Sequence, residues 1–147
     1  MHYRLRDLLV AVLVTGILTA IVVAIVVRQR IARNEAAAIQ YLRTWQAAQE
    51  IYKAGDPNQA TEQGLYADSE ELLVRQGLID RSIAGRDGGD SQAYIFSIDS
   101  PRNPEGWYGT AAPRSPLQGR CHFYVDETGV IRSNNGAPAS KSSPPVQ

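Results

Sequence analysis

The sequence predicts an α+β fold in which a long N-terminal helix, transmembrane in its first half and amphipathic in its second, packs on a small antiparallel β-sheet. Three observations carry that expectation. Twenty uncharged residues, mostly apolar, run from Leu8 to Val27. Helical periodicity continues past them to Tyr52, with no breaker before Gly55 and Pro57. Four short runs rich in aromatic and β-branched residues follow, separated by clusters of Pro, Gly, Asn and Asp.

Charge supports a chain of two parts. The 147 residues carry no net charge, yet residues 1–34 hold five arginines against Asp7, whereas residues 35–147 hold ten Lys/Arg against fourteen Asp/Glu. Basic residues therefore bracket the apolar run and the rest is mildly acidic, as suits a membrane segment carrying a solvated domain. No basic stripe lies outside the flanks, which argues against nucleic acid as a partner. A single cysteine, Cys121, excludes an intrachain disulfide; its place in a strand-like run reads as a buried small side chain.

Residues 1–7 form a short leader-like segment. Residues 8–27 are the membrane half of the helix: at 1.5 Å per residue they span about 30 Å, the thickness of a bilayer hydrocarbon core. The run is longer than the apolar region of a cleaved secretory signal and ends in Val26-Val27-Arg28 without small residues at a cut site, so it reads as a retained anchor. Gly16, Ala20 and Ala24 recur four apart, as do Ala11, Thr15 and Thr19, a spacing that lets a second helix approach closely in lipid, although such residues are also simply tolerated there. Arginines on both sides leave the orientation open.

Residues 28–54 continue the same helix, giving one rod from about residue 5 to 54, roughly 75 Å long. Ala38, Leu42, Trp45, Ala48 and Tyr52 line one face of it and need a partner. Residues 55–91 read as a loop holding a short helix, with Asp68 as N-cap, Glu71 completing a capping box and Gly77 as terminator. Residues 92–133 read as the sheet, with strands over Gln92–Ile98, Gly106–Ala112, Arg120–Val125 and Gly129–Ser133. Tyr94, Phe96 and Ile98 alternate with Ala93, Ile95 and Ser97, so one face of the first strand can meet the helix. Gly129, free to take φ > 0, marks a tight hairpin between the last two strands. Residues 134–147, rich in Pro and Ser, read as a disordered tail.

Catalytic chemistry has little to stand on. No nucleophile elbow, P-loop, H-E-x-x-H or C-x-x-C occurs, and no cofactor is implied. Cys121 and His122 are adjacent, so in a strand they point to opposite faces and do not form a dyad. Asp87 and Asp90 could share a cation with loop carbonyls, but exposed loop acids are far commoner than calcium ligands. Trp45 and Trp107 read as core residues. Asp7 stands out by abutting the apolar run, where it is either an interfacial charge or an acid able to meet a positive group on a neighbouring helix.

The stretch "DLLVAVLVTGILTAI" (Asp7–Ile21), followed by "NEAAAIQYLRTWQAAQEIYKA" (Asn34–Ala54) and by "GLYAD", "LLVRQGLID" and "FYVDETGVIR" in that order, resembles the type IV pilin and type II secretion pseudopilin family over about residues 3–133. The resemblance implies a single-pass protein of the inner (cytoplasmic) membrane with its C-terminal domain extracytoplasmic. It implies partners that are copies of itself or other pilin-like subunits, the inner-membrane assembly machinery and the lipid bilayer. It also implies assembly through the N-terminal helix, Asp7 pairing with a neighbour's terminal amine; Gly16, Ala20 and Ala24, singled out by their spacing, are the candidate assembly residues beside it. In the family a peptidase cuts after a leader Gly and the new amine is methylated; the corresponding bond here joins His2 and Tyr3. The chain departs from the pattern there, with His2 at the Gly position, Tyr3 at the Phe position and Asp7 at the Glu position, and Ala24 stands where the family has a helix-kinking proline. The expected function is thus a structural subunit of a pilus or secretion pseudopilus, not an enzyme. The alternative is a single-pass membrane protein whose pilin-like domain binds or scaffolds without polymerising.

Overall fold

The computed structural model of the chain describes residues 5–55, 64–80, 93–102 and 105–146. The order of elements is α1 (Leu5–Ala54), α2 (Glu70–Arg75), β1 (Tyr94–Arg102), β2 (Gly106–Pro113), β3 (Cys121–Asp126) and β4 (Arg132–Asn135). The strands form one antiparallel sheet in the order β1-β2-β3-β4. This is the α+β layout expected, with a long apolar N-terminal helix and a small sheet.

Helix α1 runs unbroken for 50 residues because nothing in it interrupts the backbone ladder: no proline occurs, and its one glycine, Gly16, is mid-span. It stops at Gly55, which takes φ 74° and donates its N–H to the Tyr52 carbonyl. Only the second half packs within the chain. Ala38, Tyr41, Leu42, Trp45, Ala48 and Tyr52 are buried against β2 and β3. Opposite them lie Tyr94, Trp107, Ala111, Phe123 and Val125, the inward residues of the first three strands. Trp45 and Trp107, each 1% exposed, anchor this core as expected. Tyr41, Trp45 and Phe96 meet edge-on or tilted, with centroids 4.7–5.9 Å apart, a favourable arrangement for ring quadrupoles. Gly109 of β2 makes room for this packing, since a Cβ there would lie 2.9 Å from the Trp45 ring.

Within β1 the expected alternation holds: Tyr94 is buried, Phe96 and Ile98 lean on the core, and Ile95 and Ser97 are exposed; Ala93, expected on the face of Ile95 and Ser97, is instead buried in the core just before the strand. The strand extends past Ile98 to Arg102 through an irregularity at Ser100 and Pro101, tolerated because β1 is an edge strand.

The short helix begins later than its sequence signals suggested. Ser69, not Asp68, occupies the N-cap and makes no capping hydrogen bond. Tertiary contacts decide the start: Ala67 is held by Gln49 on α1, and the Tyr41 hydroxyl donates to Glu70. The other end matches expectation. Gly77 takes φ 69°, and the Gly77 and Leu78 N–H groups bond back to the Val74 and Leu73 carbonyls, the paired bonds of a Schellman motif.

Two expectations at the C-terminus are corrected. The last strand is Arg132–Asn135 rather than Gly129–Ser133, because the turn takes up residues 127–131: Asp126 Oδ1 accepts from the Thr128 N–H at 3.0 Å, and Gly129, at φ 74°, donates to the Asp126 carbonyl. The stretch 134–147 was expected to be disordered, yet through Val146 it lies back along β4. Ser133 N–H donates to the Pro144 carbonyl, Val146 N–H to the Ile131 carbonyl, and Arg132 Nη1 to the Ser143 carbonyl at 3.0 Å. Backbone pairing with an open strand edge holds the tail, and Val146 near its end packs against the core.

Candidate functional site

The first half of α1 has no partner within the chain. Its large apolar side chains from Leu8 to Val26 are all 48–64% exposed, so none belongs to the core. That apolar surface is far larger than the patches soluble monomers leave open. Among the described residues this is the one helix long and apolar enough to cross a membrane. Its two hydroxyls suit such surroundings: Thr15 Oγ1 donates to the Ala11 carbonyl and Thr19 Oγ1 to the Thr15 carbonyl, each at 2.8 Å, leaving no orphaned donor.

On this surface Gly16, Ala20 and Ala24 are exposed, and nothing lies within 4 Å of where a Gly16 Cβ would stand. At 100° per residue they form one shallow stripe down the helix. Asp7 is exposed in the first turn, where its charge complements the positive end of the helix dipole. His2, Tyr3, Asp87 and Asp90 lie outside the described residues. Ala24 sits within continuous helix, so the missing proline leaves the rod unbroken.

Below the apolar half, the helix enters the domain within two turns. Ile31 is its first buried residue. Asn34 Nδ2 donates to the Gln118 carbonyl at 2.8 Å, and Glu35 Oε1 accepts from the Arg120 and Cys121 N–H groups at 2.9 and 3.2 Å. These bonds fasten the β2–β3 loop to the helix. The loop is closed on itself, with Gln118 N–H donating to the Ser115 carbonyl at 3.0 Å. Around the same level Arg28, Arg30 and Arg33 are exposed.

Cys121 is half-buried at the start of β3 rather than fully enclosed. Burial pushes its thiol pKa up, and the Glu35 carboxylate adds to the shift, so at neutral pH it stays in the protonated, weakly nucleophilic form. His122 follows it in the strand, half-buried.

At the far end of the sheet, Pro101, Gly106, Trp107, Tyr108, Tyr124, Glu127 and Lys141 line an open cleft of about 360 Å³. Tyr108 and Tyr124 stack at its side, 6.0 Å apart and 16° from parallel. Asp126 is buried beneath, 3.8 Å from the Lys141 ammonium. Hydrogen bonding to Asp99 raises the Tyr108 pKa, and burial raises that of Tyr124. No cluster of three or more His, Cys, Asp or Glu able to hold a metal occurs among the described residues.

Sequence reasoning passed over the polar side chains that tie the helix to the rest: Asn34, Glu35 and Gln49. Gln49, fully buried, both donates to the Ala67 carbonyl and accepts its N–H, each at 2.8 Å, like a strand neighbour. Asn34 and Gln49 carry a legible signal, lying on the buried face four residues before Ala38 and seven after Leu42. Glu35 carries none, because its partners are backbone groups 85 and 86 residues away. No family model, curated protein or solved structure matches the chain.

Proposed function

We propose that the chain is a pilin-like structural subunit that assembles in and from a membrane through the first half of α1. One observation carries the reading: a single helix completes the core of the folded domain with its second half while its first half, Leu8 to Val26, has no partner within the chain. In lipid, apolar surface alone gives helices no reason to associate, so side-by-side packing has to come from close approach. The Gly16, Ala20 and Ala24 stripe permits it. Asp7 at the top of the same helix sets register by meeting a neighbour's amine, with modest net energy because burying an ion pair carries a large desolvation cost. The order of sequence motifs from Asp7 to Arg132 supports the same reading.

Single cysteines placed at Gly16, Ala20 or Ala24 in a Cys121→Ser background test it. The expected outcome is oxidative ladders in membranes and cross-linked chain in the filament fraction sheared from cells, weaker for cysteines on the opposite helix face. Monomer at every position, with all of the chain retained in the membrane, overturns it in favour of a non-polymerising scaffold. Intact mass decides processing: loss of Met1-His2 with gain of a methyl group reports cleavage at His2–Tyr3.

A further inference from the structure

We propose that the β2–β3 loop is a second membrane contact, which lays the domain against anionic phospholipid headgroups beside the helix; this rests on the reading that Leu8–Val27 spans the bilayer. The loop lies at the membrane-proximal edge of the domain. Asn34, which holds Gln118, is seven residues past Val27, about 10 Å along the helix axis. The headgroup layer beyond the hydrocarbon is about 5–8 Å deep on each side. Asn34 itself stands just beyond that layer, but Ile31, buried and about 6 Å past Val27, stands within it, so the near edge of the domain reaches the headgroups.

The residue at the tip of the loop is Leu117, 69% exposed and, among the described residues, the most exposed large apolar side chain in the folded domain. Ser115 and Gln118 close the turn around it, through their backbones at 3.0 Å and their side chains at 3.1 Å, and Asn34 and Glu35 clamp the turn to α1. A rigidly presented leucine suits the boundary between headgroups and acyl chains.

Charge complements it. Arg28, Arg30, Arg33 and Arg120 are exposed at this end of the domain, and none is paired with a carboxylate among the described residues. Glu35, the nearby acid, is engaged by two backbone N–H groups. Helical geometry sets Arg28 about 60° from Ile31, toward the domain, and Arg30 and Arg33 on the far flank, so the arginines surround the rod. Val26, Gln29, Arg30 and Arg33 outline an open hollow of about 440 Å³ on the flank of the helix just past the apolar run. Arginine forks match phosphate oxygens geometrically.

The full chain in lipid vesicles tests the proposal. Variants in a Cys121→Ser background carry one fluorophore, at Leu117→Cys, Leu13→Cys or Val130→Cys, against lipids bearing a quencher near the headgroup or deep in the acyl chain. The expected result is deep quenching at position 13, headgroup-level quenching at 117 that strengthens when phosphatidylglycerol replaces part of the phosphatidylcholine, and none at 130. Arg30→Gln with Arg120→Gln removes most of the lipid-dependent gain; each arginine lost weakens headgroup binding by roughly five-fold. Quenching at 13 with none at 117 overturns the docking contact and leaves the spanning helix intact. Equal quenching at 117 in both lipids overturns the anionic preference, and no quenching at 13 overturns the spanning reading and the docking with it.

Discussion

Gln49 shows how much one side chain can decide. Its amide closes two hydrogen bonds to Ala67 in a dry site, so Gln49→Leu leaves a buried N–H and C=O unpaired while keeping the volume. A loss of about 1–3 kcal/mol is expected, read as a lowered denaturant midpoint for the chain in detergent. Tyr94 supplies a pH test. Burial, with Glu35 and Cys121 adding, raises its pKa well above the ordinary 10.0. The folded chain keeps a proton that the unfolded chain gives up near pH 10, so this contribution is complete below that pH and lost as pH rises further. Tyr94→Phe should flatten the alkaline fall in stability while costing about 1 kcal/mol at neutral pH through the lost bond to the Cys121 carbonyl. Denaturation midpoints compared at neutral and alkaline pH check both signs. The importance of Trp45 was legible because apolar spacing singles out the buried face. Glu35 was not, because a carboxylate on a helix looks the same whether it faces water or a distant backbone.

Elements were legible in proportion to how local their causes are. Helix α1 follows from uninterrupted helix-forming residues with a glycine stop, and its limits agree with the expected ones. Gly77 ended α2 as a local signal should, whereas the start of α2 was set by partners remote in sequence. Strand β4, with the sequence RSNN, has almost no intrinsic strand preference; it exists because β3 pairs on one side and the tail on the other. The tail in turn covers an edge that would otherwise offer unpaired backbone groups to other chains. Deleting residues 137–147 should therefore expose β4, remove Lys141 from Asp126 and Glu127, and speed amide exchange at Ile131–Ser133. Exchange rates, with light scattering for association, would report it; unchanged exchange would mean the tail contributes nothing to the edge.

At the scale of the molecule, buried contacts begin at Ile31, so the domain does not depend on the apolar half for its core. A chain beginning at Arg28 should fold as a soluble monomer with the same sheet, which near-ultraviolet circular dichroism and sedimentation would show; aggregation or loss of tertiary signal would tie folding to the first half. The division into an apolar rod and a packed domain was legible from periodicity and charge, but the place where the loop meets the rod was not, since Asn34 and Gln118 are 84 positions apart. The unbroken helix also has a mechanical consequence. Residues 28–54 extend about 40 Å beyond the apolar half. Without a hinge between the halves, a change of about 20° in tilt within a bilayer swings the far end of the sheet by roughly 14 Å. On the proposed membrane-spanning reading, the domain is the long arm of a lever whose short arm lies in lipid, so a pull or a change in bilayer thickness at the N-terminal end becomes rotation of the sheet rather than bending of the chain.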